Sequence, residues 1–230
     1  MKIEILFPEF CNLFGDIFNM KYLKMCLPDA EFIETALDDE PKFVKEEVNL
    51  IYLGPMTENT QEKVINVLMP YKARIEELIE KNVVFLFTGN ALEVLGKYIE
   101  NEDGSRIEGV GIFDVYSKRD MMNRHNSYLV GKFEDIELVG FKSQFTMMYG
   151  DNSNEYFLEV EKGIGINKES KLEGIRRNNF FGTYLLGPIL ILNPLFTKKI
   201  IEKIGGEPNI ALEKDVMTAY ELRLKELKKL

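Results

Sequence analysis

Residues Val83 to Phe87 (VVFLF) are apolar without interruption and run into Thr88-Gly89-Asn90. Successive side chains of a strand point to opposite faces of a sheet, so such a run has two faces to bury. Lys2 to Phe7 (KIEILF), closed by Pro8, and Val48 to Leu53 (VNLIYL), entering Gly54-Pro55, repeat the pattern, and Glu31 to Thr35 adds a further strand. Between them the apolar period changes. Asn19 to Cys26 reads as a short helix stopped by Pro28, and Asp38 to Glu47 as a loop or helix. From Thr60 to Lys81 apolar residues recur at Val64, Val67, Leu68, Ile75, Leu78 and Ile79, a helical spacing with a break at Pro70. Ala91 to Glu100 is expected to be helical as well. Doubly buried strands alternating with helices predict a parallel sheet covered on both faces.

The second half changes character. Val110 to Tyr116, Ser127 to Phe133, Ile136 to Phe141, Tyr156 to Val160 and Phe180 to Leu185 are short strand candidates separated by Gly, Asn and Asp, which predicts antiparallel additions. Thr197 to Ile204 and Leu212 to Leu230 are expected to be helices. With no internal repeat and no low-complexity linker, one domain over residues 1–230 is expected. A chain that is 45% hydrophobic and 29% charged can bury a core, which excludes intrinsic disorder. The formal charge of −9 argues against a nucleic-acid partner, since binding phosphate requires positive potential.

Met1 to Glu9 lacks the pattern of an export signal. The most apolar stretch, Tyr184 to Phe196, is broken by Gly187, Pro188, Asn193 and Pro194, so no membrane insertion and a cytoplasmic location are expected. Cys11 and Cys26 cannot build a disulfide framework, and the single histidine, His125, leaves no His/Cys cluster for zinc. Neither metal nor cofactor is expected.

In a parallel α/β sheet, ligands bind outside the carboxyl ends of the strands. The segments there are Pro8 to Asp16, Gly54 to Gln61 and Thr88 to Gly96, with Phe181 to Pro194 near the C-terminus. Together they resemble the class I glutamine amidotransferase-like domain of the cobyric acid synthase type, most closely its stand-alone form, the glutaminase subunit of lipid II isoglutaminyl synthase. FPEFCNLFGDIFN (Phe7 to Asn19) matches the family's YP-d-x-x-NLYGD-x-GN start, and GPMTENTQ (Gly54 to Gln61) aligns on GGGQDxxQ. GNALEVLG (Gly89 to Gly96) lies on the nucleophile segment CGGYQLLG, GFKSQ (Gly140 to Gln144) on GFENH, and GTYLLGPILILNP (Gly182 to Pro194) on GTYLHGP-x-L-x-x-NP. The resemblance implies a three-layer, flavodoxin-like class I glutaminase fold with a mostly parallel central sheet and added antiparallel strands.

The family's chemistry is attack of a Cys thiolate on the glutamine side-chain amide, with a His moving the proton and backbone amides holding the oxyanion. Here the nucleophile position falls on Gly89, with Thr88 one residue away, and the base position on Leu186. Pro55 stands in the loop that helps form the oxyanion hole and has no N–H to give. Lys142, Ser143 and Gln144 replace Glu-Asn-His. Glutamine hydrolysis by the family mechanism is therefore not expected, and Gly89 relaxes the strained elbow that a nucleophile demands. A vestigial pocket is expected from Gly54, Pro55, Met56, Thr88, Asn90, Glu93, Gln144 and Tyr184, able to take a small amino-acid-like ligand.

Glu58 and Glu93 read as solvated charges that would oppose an anion if they faced the site, and Asn12 and Asp16 as turn and cap residues. Arg176-Arg177-Asn178-Asn179 reads as a solvated hairpin, with phosphate binding as the alternative. Cys26 reads as core, and His125 as an exposed loop residue. The expected function is that of a catalytically silent subunit or regulator, its implied partner a Mur-ligase-like synthetase of cell-wall precursor metabolism. The alternatives are a hydrolase or amidotransferase with relocated residues, Cys11 being the candidate nucleophile, and a small-molecule sensor using the old glutamine pocket.

Overall fold

The computed structural model describes residues 1–230. In chain order its first half comprises β1 (Lys2–Leu6), α1 (Phe18–Cys26), β2 (Glu31–Thr35), β3 (Leu50–Leu53), α2 (Glu58–Leu68), α3 (Lys72–Glu80) and β4 (Val84–Thr88). Pro70 sits in a 3-10 turn between α2 and α3, at the expected break. An excursion follows, made of β5 (Tyr98–Glu100), β6 (Arg106–Glu108), β7 (Val115–Arg119), β8 (His125–Phe133), β9 (Ile136–Gln144), β10 (Thr146–Gly150), β11 (Leu158–Lys162) and β12 (Leu172–Glu173). The chain then returns through β13 (Ile175–Arg177) and β14 (Phe180–Thr183) and ends in α4 (Ile189–Leu192), α5 (Pro194–Lys203) and α6 (Glu213–Lys229).

The central sheet has six strands in the order β13-β14-β4-β3-β1-β2, all neighbours parallel except β13 with β14. Its order from β2 to β14 is that of the flavodoxin-like class, with the switch point between β1 and β3. Alternate residues of each inner strand enter opposite cores, as the unbroken apolar runs require. Ile51, Leu53, Phe85, Phe87 and Phe180 pack with α2 and α3, whereas Leu50, Tyr52, Val84, Leu86 and Phe181 pack with α1, α4 and α5. The one buried acid of this sheet is Glu4. It accepts hydrogen bonds from the Thr35 hydroxyl and from the Lys42 and Phe43 amides, so its desolvation is compensated.

The excursion forms two four-stranded sheets, β10-β7-β5-β6 and β12-β11-β8-β9. One expectation fails here. Ala91 to Glu100 is not a helix: Gly89–Leu95 is a 3-10 segment, and Tyr98–Glu100 is a strand between β6 and β7. The 89–95 segment is buried on every side except at Asn90, so its apolar residues follow its surroundings rather than one helical face. The Val110 to Tyr116 candidate also shifts, with residues 110–112 irregular and 113–114 bent before β7 begins at Val115. No helix is long and apolar enough to cross a membrane.

Candidate functional site

A pocket of about 200 Å3 opens at the carboxyl ends of β1, β3, β4 and β14, over the switch point. Four segments build it. Leu13 and Phe14 come from the turn after β1, Pro55 to Glu58 from the loop after β3, Gly89, Asn90 and Glu93 from the 3-10 segment after β4, and Tyr184 and Leu186 from the chain after β14. Arg124 and Ser143 to Thr146 close it from the excursion.

Below the pocket a buried latch ties β3 and the end of β4 to α1 and the turn that precedes it. One Asp16 carboxylate oxygen accepts hydrogen bonds from the Tyr52 hydroxyl at 2.9 Å, the Thr88 hydroxyl at 2.5 Å and the Asn19 amide at 3.0 Å. Burial pushes the Asp16 carboxyl up while these donors pull it down. Asp16 is thus a fully buried junction as well as the turn and cap residue expected, its amide closing the 13–15 turn on the Leu13 carbonyl, while Asn12 holds its own turn through the Pro8 carbonyl. Thr88 belongs to the latch and Gly54 packs against the Cys11 carbonyl, which leaves no room for a Cβ. These two expected pocket residues lie beneath the lining, and the other six are in it.

Gly89 and Leu186 come together across the pocket. A Cβ built on Gly89 would lie 3.2 Å from Leu186 Cδ2 and only 2.6 Å from Pro55 Cβ. Gly89 has φ +59°, a conformation that other residues adopt at a cost. The turn therefore accepts no larger residue without movement of the Pro55 ring, and the pair contains no group that can attack or carry a proton.

The neighbouring backbone is also committed. Pro55 has no amide hydrogen, and the next amide, Met56 N–H, donates to Asn90 Oδ1 at 3.0 Å, while Asn90 Nδ2 donates to the Met56 carbonyl at 2.8 Å. The Asn90 carboxamide thus clamps the loop after β3 and occupies the donor that Pro55 leaves available.

Glu93 is fully buried, which corrects its reading as a solvated charge. Its Oε1 accepts from the Tyr184 hydroxyl at 2.9 Å and its Oε2 from Gln61 Nε2 at 2.9 Å. Burial still dominates and pushes its carboxyl up to about 7. Glu58 is half-buried at the mouth.

Lys142 turns away from the pocket into a fully buried pair with Glu173, Nζ to Oε1 3.4 Å, and donates to the Gly165 carbonyl at 2.7 Å. Glu173 also accepts from the Thr183 hydroxyl and the Tyr184 amide, so the pair fixes the strand end that carries Tyr184. Burial lowers the Lys142 ammonium from its ordinary range, against the pull of Glu173.

Cys11 is buried with its sulfur 3.8 Å from Met56 Sδ, and desolvation pushes its thiol up to about 12. His125 opens β8 instead of sitting in a turn, and its Nε2 pairs with the Ser127 hydroxyl at 3.0 Å. Cys26 is half-buried, its sulfur accepting from the Ala211 amide. Arg176 and Arg177 are engaged by Glu134 and Glu155 respectively, which disfavours phosphate there. Arg124, lying over Phe145 at 4.4 Å, and Phe14, held at φ +61°, are pocket residues that no local pattern announced.

Two relatives match over most of their length. The chain is 28% identical over 220 residues to "Lipid II isoglutaminyl synthase (glutamine-hydrolyzing) subunit GatD" of Staphylococcus aureus (strain N315), covering 94% of this chain and 89% of that one. It is 25% identical over 233 residues to the protein of the same description from Streptococcus pneumoniae (strain ATCC BAA-255 / R6), covering 95% and 87%. Among solved structures, a glutamine amidotransferase superposes with a TM-score of 0.61 at 11% identity, over 88% of this chain and 99% of that one. A glutamine amidotransferase from Thermotoga maritima gives 0.52 at 14% identity, over 96% and 92%. These likenesses agree with the flavodoxin-like class I architecture of the central sheet. Residues 2–194 match the CobB/CobQ-like glutamine amidotransferase domain, and the chain belongs to that family.

Proposed function

We propose that this chain is a non-catalytic amidotransferase-like subunit, one domain over residues 1–230, which works in the cytoplasm on a Mur-ligase-like synthetase of cell-wall precursor metabolism. The observation that carries this reading is the packing at Gly89, where Pro55 Cβ would stand 2.6 Å from any Cβ and Leu186 occupies the facing wall. The clamped Met56 amide supports it, because a site that stabilises an oxyanion needs free donors. The two relatives named above are subunits of a glutamine-hydrolysing synthase, which makes a synthetase the partner class to test.

A second reading, a sensor of a small amino-acid-like molecule, is favoured by the pocket that persists, with Glu93 and Arg124 among its lining residues. Relocated catalysis by Cys11 is disfavoured by the burial that holds its thiol protonated.

The test is reconstitution with the Mur-ligase-like synthetase of the same source. The expected result is a stable complex that amidates its substrate from free ammonium and not from glutamine. Glutamine-dependent amidation, or failure of an active synthetase to bind this chain, would overturn the proposal.

A further inference from the structure

We infer that Glu93 is a pH-sensitive switch in the wall of the pocket at Gly89: on taking a proton it reverses its hydrogen bond with Tyr184 and cancels the net negative charge of the pocket lining. The inference does not rest on the function proposed above.

The surroundings of Glu93 leave its carboxylate short of positive charge. The side chain is fully buried, and the two groups bonded to it, the Gln61 amide and the Tyr184 hydroxyl, are both neutral. Arg119, on β7, is engaged by Gln61, Asn101 and Glu62. Lys142, 5.5 Å from the Tyr184 ring, is held by Glu173 and the Gly165 carbonyl. Arg124 lines the pocket but lies over Phe145, and Glu58, which opens α2, is a like charge. A carboxylate desolvated among neutral donors gives up its proton late, which agrees with a value pushed up to about 7.

The same neighbours dictate where the proton goes. Arg119 donates to Gln61 Oε1 at 2.9 Å, which turns Gln61 Nε2 toward Glu93 Oε2, also at 2.9 Å. An amide nitrogen cannot accept, so a proton on Oε2 would set two hydrogens face to face. The proton therefore belongs on Oε1, whose partner is a hydroxyl and can accept as well as donate. Tyr184 must then turn its own hydrogen elsewhere, and the buried Ser117 side chain is the other uncharged polar group beside it. Two arrangements result. With Glu93 ionised, Tyr184 donates to it; with Glu93 protonated, Glu93 donates to Tyr184 and Tyr184 to Ser117.

The pocket changes charge with the switch. Its charged lining residues are Glu58, Glu93 and Arg124, two acids and one base, which sum to −1 when Glu93 is ionised and to zero when it is protonated. Gln61 also donates to the Asn90 carbonyl at 2.8 Å, so the switch stands next to the clamp on the loop after β3.

The test is the carboxyl infrared spectrum of the purified chain from pH 5 to 9, taken as the difference from Glu93→Gln, whose amide reproduces the protonated arrangement. Expected is the C=O stretch of a protonated carboxyl at pH 5, replaced by carboxylate bands with a midpoint near 7. Carbon-13 spectra of the parent labelled at its glutamate carboxyls should give the same midpoint without any variant. Tyr184→Phe removes a donor that favours the anion and should raise the midpoint. Ser117→Ala leaves the reversed Tyr184 hydrogen without an acceptor and should lower it. Each shift should be up to about one pH unit, with melting curves to show that both variants fold. Three results would each overturn the inference: a carboxylate already formed at pH 5, a protonated carboxyl persisting at pH 9, or both variants moving the midpoint in the same direction.

Discussion

Replacing Gly89 by Ala adds a single methyl group where the structure has the least room for one. The backbone there stands at φ +59°, and a left-handed conformation costs a non-Gly residue about 1–2 kcal/mol. The new Cβ would meet Pro55 Cβ at 2.6 Å, a contact with a rigid ring that cannot rotate aside, whereas the Leu186 contact at 3.2 Å involves the mobile end of a side chain. Overpacking of this kind costs roughly 1–3 kcal/mol, so Gly89→Ala should destabilise the fold by about 2–5 kcal/mol in total. Pro55→Gly removes the offending Cβ and leaves the φ penalty in place. In a double-mutant cycle Gly89→Ala should therefore cost about 1–3 kcal/mol less in the Pro55→Gly background, whatever Pro55→Gly costs alone. Urea denaturation of the four proteins, followed by far-UV circular dichroism, measures both quantities. A Gly89→Ala protein within about 0.5 kcal/mol of the parent, or a cycle with no coupling, would refute the packing argument.

Restoring chemistry should need more than restoring reactive groups. Gly89→Cys with Leu186→His should stay nearly inactive in a glutaminase assay, since each absent oxyanion donor costs on the order of 10²- to 10³-fold. Adding Pro55→Gly supplies one amide, and activity should rise further when Asn90→Gly also frees the Met56 N–H; a fully active double mutant would show that neither residue borders the oxyanion position. Glu93 makes a pH prediction. Its carboxyl is raised from 4.5 to about 7, so the folded state holds the proton more tightly and stability falls as pH rises through that window, levelling off above it. Urea midpoints of the parent should thus decline relative to Glu93→Gln between pH 5 and 8, and parallel curves would count against a desolvated carboxyl. Cys11, buried and raised to about 12, should resist a thiol reagent in the folded protein at neutral pH, and react only on unfolding; rapid labelling of the native chain at Cys11 would reopen its candidacy as a nucleophile.

The central sheet was legible because its strands carry their own signature. Apolar runs such as VVFLF need two cores, and the turns after them place the pocket at the switch point. Gly89, Pro55 and Leu186 were legible for a different reason: each lacks a group that the chemistry needs, and a missing group shows without coordinates. What stayed hidden depends on partners distant in sequence. Ala91 to Glu100 has the composition of a helix, yet Tyr98 to Glu100 is drawn into a sheet by residues 106–108, just beyond the stretch read as helical, and by β7, which lies further along the chain. Asp16 reads as a turn residue, which it is, but its burial stays hidden because Tyr52 and Thr88 close over it from 36 and 72 positions away. Arg124 and Phe145 reach the pocket only because the excursion folds back over it. Glu93 looked solvated since its compensation comes from Gln61 and Tyr184, on other elements.

The central claim is that the chain has kept the amidotransferase scaffold without its hydrolytic chemistry. The direct measurement is glutamate release from glutamine by the purified protein, alone and with its reconstituted synthetase, alongside mass spectrometry after exposure to an electrophilic glutamine analogue. The account predicts no release above the uncatalysed background and no covalent adduct. Turnover of glutamine, or an acyl adduct trapped on any residue of this chain, would contradict it.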